Sequence, residues 1–221
     1  MRQLIVFFII LLNFEQVDAH VGHNKNLQSL SFDIYRNDAY AGFHTIDFNW
    51  GKDGSVEVTN VIEFGVKKLG ITFYKYQSVG VETYNAAGKL VSFSSNTDDN
   101  GKLKFCKIDL KKDKYEVNGT KFKGEFKKPF LISSYWNHDI VTFPYQLSGI
   151  TCKVTEQKVS FIKEEDFKKL DQTFKTRIFD VKGKDLDTQV WFDQKTRMII
   201  HQVLHRKGKW EYKLKSYTLN K

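Results

Sequence analysis

Apolar and polar positions alternate with a period of two along most of the chain. Leu30, Phe32 and Ile34 alternate with Ser31 and Asp33, and Ile46, Phe48 and Trp50 alternate with Asp47 and Asn49. Val56, Val58, Ile62 and Phe64 share one parity, with Glu57, Thr59 and Glu63 on the other. Trp210, Tyr212 and Leu214 alternate with Glu211 and Lys213. Each run predicts a strand with one buried face. One-faced strands belong to antiparallel sheets, because parallel sheets are covered on both sides. Turn signals punctuate the runs at Lys52-Asp53-Gly54, Ala86-Ala87-Gly88, Asn118-Gly119 and Lys207-Gly208. One segment departs from the alternation. In Glu164–Gln172 the acids lead and the lysines follow, which suits a helix dipole and predicts one short helix. A long meander has to hide its edges. The expected fold is therefore all-β: a single antiparallel curved sheet or half-open barrel with one short helix, whose concave face can hold a ligand.

The start of the chain reads differently. Arg2 precedes an unbroken apolar run from Leu4 to Leu12, and Val17-Asp18-Ala19 sets small residues where a signal peptidase cuts. That layout predicts a secretory leader over residues 1–19 and a single domain over 20–221. The apolar run is shorter than the roughly 20 residues a membrane-spanning helix needs. Removing the leader takes away one positive and two negative charges and raises the formal net charge from +9 to +10. A basic exported protein suits anionic partners such as lipid head groups or other envelope components, and export argues against nucleic acid. The expected location is periplasmic or secreted. Cys106 and Cys152 are the two cysteines. An oxidising compartment permits a disulfide between them, and the spacing alone leaves the pairing open.

"NTDDNG", Asn96–Gly101, resembles the first half of a calcium loop. An EF-hand needs a bidentate Glu at the twelfth position and flanking helices. That position is Lys107, and both flanks read as strands. Asn100-Gly101 fits a tight hairpin turn better.

"SSYWN", Ser133–Asn137, combines ring faces with directional hydrogen bonds, the chemistry of a recognition site. Tyr135, Trp136 and Asn137 are candidate ligand-binding residues, or else a plug at one end of the barrel. His44 lies on a strand whose same-parity neighbours Ile46 and Phe48 read as buried, and Tyr76 joins it as a candidate. His201 and His205 lie about 13 Å apart on a strand, at about 3.3 Å per residue, too far for one metal ion. Cleavage after Ala19 would expose His20, with His23 nearby. A first-position imidazole with a free amine is a copper chelate when a second His is well placed. No nucleophile elbow, zinc-protease helix, phosphate loop or CxxC pair occurs, so no catalytic residue, resident metal or cofactor is expected.

"YAGFHTIDF", "GITFYKYQS", "TDDNGK" and "SSYWNHDIV" stand in this order, followed by "VWFDQKTRMIIHQ". In this the chain resembles an exported bacterial family, the domain-of-unknown-function family numbered six-one-three-four. The resemblance implies no activity. Its build is similar to the curved antiparallel sheet of periplasmic lipoprotein carriers, a likeness of fold alone. The expected function is non-catalytic binding or carriage of an apolar or amphiphilic envelope molecule. The alternatives are a copper protein or oxidative enzyme using His20, and a structural envelope docking module.

Overall fold

The structure, a computed structural model, describes residues 20–220, with His20, His23 and Lys68 described by backbone alone. The expected leader lies outside the described residues. Fifteen strands follow in order among the described residues. They are β1 (Leu27–Arg36), β2 (Ala39–Trp50), β3 (Val56–Lys68), β4 (Ile71–Tyr84), β5 (Leu90–Asp99), β6 (Lys102–Lys111), β7 (Lys114–Gly119) and β8 (Lys123–Phe126). The second half supplies β9 (Leu131–Ile132), β10 (Tyr145–Leu147), β11 (Val154–Lys169), β12 (Gln172–Gly183), β13 (Leu186–Asp193), β14 (Ile199–His205) and β15 (Lys209–Leu219). All lie in one sheet with spatial order β8-β7-β6-β5-β4-β3-β2-β1-β15-β14-β13-β12-β11-β10-β9. Neighbours are antiparallel except for the short parallel pair β9–β10. Each hairpin follows the last around the curve, and β1 pairs with β15 to join the two halves. The sheet does not close: β8 and β9 are its edges.

Residues joined by cross-strand register face the same way. The row Phe32, His44, Ile62, Ser78, Thr97 runs across the concave face, as does the row Val58, Glu82, Phe93, Ile108, Val117. The chain between β8 and β11 crosses this concavity and fills part of it. A disulfide between Cys106 and Cys152, with Cα atoms 5.0 Å apart, ties that segment to β6 near the open seam. The Lys121 amide donates to the Thr151 carbonyl at 2.9 Å, and Ser95 Oγ donates to the carbonyl of Gly149.

Two expectations are corrected. Glu164–Gln172 is not a helix but the end of β11, the turn Leu170-Asp171 and the start of β12. Its acids pair at strand spacing: Arg177 Nε donates to Glu164 at 2.9 Å and Trp191 Nε1 to Glu165 at 2.8 Å across strands, and Lys163, two residues away on the same strand, meets Glu165 at 2.5 Å. Phe167 pairs with Phe174, so the apolar side chains follow strand register. Asn118-Gly119 is likewise not a turn but the end of β7. Gly119 serves close approach, since a Cβ there would lie 2.6 Å from that of Cys152.

Candidate binding site

The crossing segment is anchored by a buried polar knot. Trp136 is 1% exposed, set edge-on to Phe48 and Tyr84 with ring centroids 5.2 and 5.8 Å away. Its indole N–H donates to Glu82 Oε1 at 3.1 Å. Asn60 Nδ2 donates to the same oxygen at 3.0 Å, and the Tyr84 hydroxyl donates to Glu82 Oε2 at 2.5 Å. Glu82 is itself 1% exposed, and burial raises its pKa against the pull of these donors. Asn137 is the N-cap of the 3-10 turn His138–Val141, its Oδ1 accepting from the Asp139 amide at 3.0 Å. Tyr135, just before Trp136, has a left-handed φ of 56°, a conformation that costs an ordinary residue about 1 kcal/mol or more. It is half-buried, and its hydroxyl donates to Gln146 Oε1 at 3.4 Å.

A second cluster lies farther along the concavity. His44 Nε2 and Asn60 Oδ1 are 3.4 Å apart, and burial lowers the imidazole pKa to about 4, so the ring is neutral at pH 7. Tyr212 meets His44 edge-on at 6.1 Å. Burial pushes the Tyr212 phenol upward, and the nearby phenols of Tyr76 and Tyr135 push the same way. Two of the five sequence candidates, His44 and Tyr76, thus lie beside Tyr212; Tyr135 packs against the cluster of Ile140, Val181, Val190 and Ile199, and Trp136 and Asn137 belong to the polar knot. Beside them Ser78 Oγ and Thr97 Oγ1 share a hydrogen bond at 2.7 Å. Toward the rim the cluster becomes aromatic. Phe64 stacks on Tyr76 at 4.6 Å and on Tyr74 at 5.9 Å, and lies 4.8 Å from the Trp210 ring. Phe64, Tyr74 and Trp210 are half-buried, whereas Tyr76 is buried. Asp99 closes the edge, accepting from the Tyr74 hydroxyl and Lys104 Nζ. Burial would raise its pKa, but the hydrogen bonds from Lys104 and Tyr74 outweigh that and hold it low.

The arrangement offers ring faces and hydrogen-bonding groups. Its histidine is neutral and its tyrosines are protonated at pH 7, so these groups present no charge to a ligand.

Glu82, Asn60, Phe64 and Trp210 were not singled out as site residues from the sequence. Asn60 has a legible signal, because it interrupts the apolar parity of Val56, Val58, Ile62 and Phe64. Glu82 has none: in "YQSVGVETY" the valines mark the opposite face as apolar, yet Val79 is 49% exposed and the polar parity turns inward. At Asn100-Gly101 the hairpin turn is present, with φ of 54° and 81°. Asp98 accepts from the Gly101 amide at 2.6 Å, and Asp99 serves Tyr74 and Lys104, so both carboxylates have protein partners. His201 lies on the opposite sheet face, in register with Trp191 and Lys213, and His205 ends the same strand exposed. The His20 imidazole lies outside the described residues.

Residues 32–215 match the family described as Domain of unknown function (DUF6134). The chain belongs to this family. No protein of curated function matches it. Among solved structures, it is similar to a crystal structure of a beta-barrel-like protein of domain of unknown function DUF1849 from Brucella abortus, with 10% identity and a TM-score of 0.62. That likeness covers 89% of this chain and 98% of the other. At such identity it shows a shared fold: a large curved antiparallel sheet, here left open between β8 and β9.

Proposed function

We propose that this member of the DUF6134 family is a non-catalytic binder or carrier of an apolar or amphiphilic envelope molecule, held at the aromatic end of the concave face. The observation that carries the proposal is the half-buried cluster of Phe64, Tyr74 and Trp210 set over the polar floor of Tyr76, His44 and Tyr212. Ring faces suit an acyl chain or flat apolar body, and the hydroxyls and amide beneath suit a polar head. The neutral imidazole and protonated phenols favour holding over proton transfer at pH 7. The proposed setting is the periplasm or the exterior, reached through the leader over residues 1–19. Native mass spectrometry of protein purified from its own envelope tests the reading directly. A reproducible adduct of lipid-like mass that is lost in a Phe64→Ala/Trp210→Ala variant supports it. Uniformly ligand-free protein contradicts it.

The filled interior favours a second reading, a structural docking module. Trp136 and its surroundings occupy the space that a deep carrier would leave open. A copper protein using His20 is a third reading, and that imidazole lies outside the described residues. Among the described residues no cluster of three or more His, Cys, Asp or Glu is placed to share an ion.

A further inference from the structure

The β3–β4 hairpin outruns its neighbours. The last β2–β3 pair is Gly42 with Phe64, and the last β4–β5 pair is Tyr76 with Asp99. Strand pairing between β3 and β4 nevertheless continues to Lys68 and Ile71. Residues 66–74 therefore project beyond the rim with only each other as strand partners, about 13 Å at about 3.3 Å per residue. The register slips between Val66 and Lys67, breaking the alternation that hides apolar side chains lower down. The outcome is an apolar tip in water: Leu69 is 93% exposed, Ile71 63% and Phe73 61%. Leu69 also holds a left-handed φ of 51°, where glycine or asparagine is the usual choice. Nothing in the fold accounts for three large apolar side chains here.

The surrounding charge has one sign. "GVKKLGITFYK", residues 65–75, contains three lysines and no acid. Lys67 and Lys75 are exposed. The next tip on the same rim also exposes an apolar side chain, Leu103 at 83%, between Lys102 and Lys104, with the acids Asp98 and Asp99 on its other strand.

We propose that this hairpin docks the protein onto an anionic lipid bilayer. Leu69, Ile71 and Phe73 enter the headgroup–acyl boundary, whose depth of about 5–10 Å lies within the reach of a tip projecting about 13 Å. Lys67 and Lys75 remain at the phosphates, their stems lying along the apolar surface. A protein partner is disfavoured, because interface cores are depleted in lysine and seat their anchors in pockets rather than on a projecting tip. The inference goes beyond ligand binding, since it requires no bound molecule.

Co-sedimentation with vesicles tests it, using phosphatidylcholine alone or mixed with phosphatidylglycerol. The exported protein is compared with Leu69→Asp/Phe73→Ser and Lys67→Glu/Lys75→Glu variants. All share one N-terminus, so any difference reports the hairpin. The wild type should prefer the anionic vesicles and release them as salt rises. Each double variant should bind them at least about tenfold more weakly, at unchanged melting temperature. Variants binding as tightly as the wild type would overturn the proposal. So would a wild type that binds neither vesicle while a cross-linker placed at residue 69 captures an envelope protein.

Discussion

Two buried residues, His44 on the concave face and Trp136 on the segment that crosses it, each make a measurable claim. His44 has a folded pKa of about 4 against 6.5 for an exposed imidazole. On acidification the unfolded chain takes up its proton first, so stability present above pH 6.5 is lost as the pH falls toward 4, up to about 3 kcal/mol. Burial lowers His201 to about 4 as well, so it acts in the same window. Depressed carboxylates such as Asp99 act only nearer their unfolded values of about 4. Glu82 works in the opposite sense: its raised pKa contributes stability at low pH that is lost as the pH rises through the folded value. Urea unfolding at pH 7.5, 6 and 5 isolates the imidazole by difference: the wild type should lose more stability, or gain less, than His44→Gln as the pH falls from 6.5 toward 5. Equal changes in the two proteins would mean that the imidazole is not sealed from water. Trp136 makes the second claim. Trp136→Ala removes a buried ring and one donor to Glu82, and should cost about 3–5 kcal/mol. The cost should be equal in melts with and without envelope lipid extract. Ligand retention lost out of proportion to stability would instead place this ring at the ligand.

At the scale of elements, the strands were legible wherever one face is polar and the other apolar. β1, β2, β3 and β15 fall on the alternations that predict them, and the Asn100-Gly101 turn lies where its residue types require. β11 was misread because exposed charges carry no period that separates a strand pair from a helix; Glu164 and Glu165 find Arg177 and Trp191 on other strands as well as Lys163 on their own. The aromatic end of the concave face was half legible. His44 and Tyr76 were visible as single residues, but their convergence depends on curvature that no local pattern encodes. The segment between β8 and β11 was visible as "SSYWN", and its path across the concavity was not. Its anchor can be tested. The Cys106–Cys152 disulfide closes a span of 46 residues, for which chain-entropy arguments give about 4 kcal/mol. A Cys106→Ala/Cys152→Ala variant should lose stability of that order in urea titrations. A loss below about 1 kcal/mol would show that the segment is held by its hydrogen bonds and by Trp136 alone.

For the whole molecule, an open curved sheet with one end filled and the other faced with aromatic rings suits the proposed binding role, whose setting outside the cytoplasm is itself a proposal. Export is the precondition. Intact-mass analysis of secreted or periplasmic protein should show a chain beginning at His20, and a product retaining the run from Leu4 to Leu12 would defeat this part of the account. The binding claim is tested most directly by tryptophan fluorescence during titration with a dibrominated fatty acid, whose bromines quench only rings they approach. Trp210 is half-buried at the aromatic end and Trp136 is sealed in the core. The account predicts saturable quenching that largely disappears in a Trp210→Phe variant of unchanged stability. Quenching that survives this substitution, or no saturable quenching in the wild type, would contradict it.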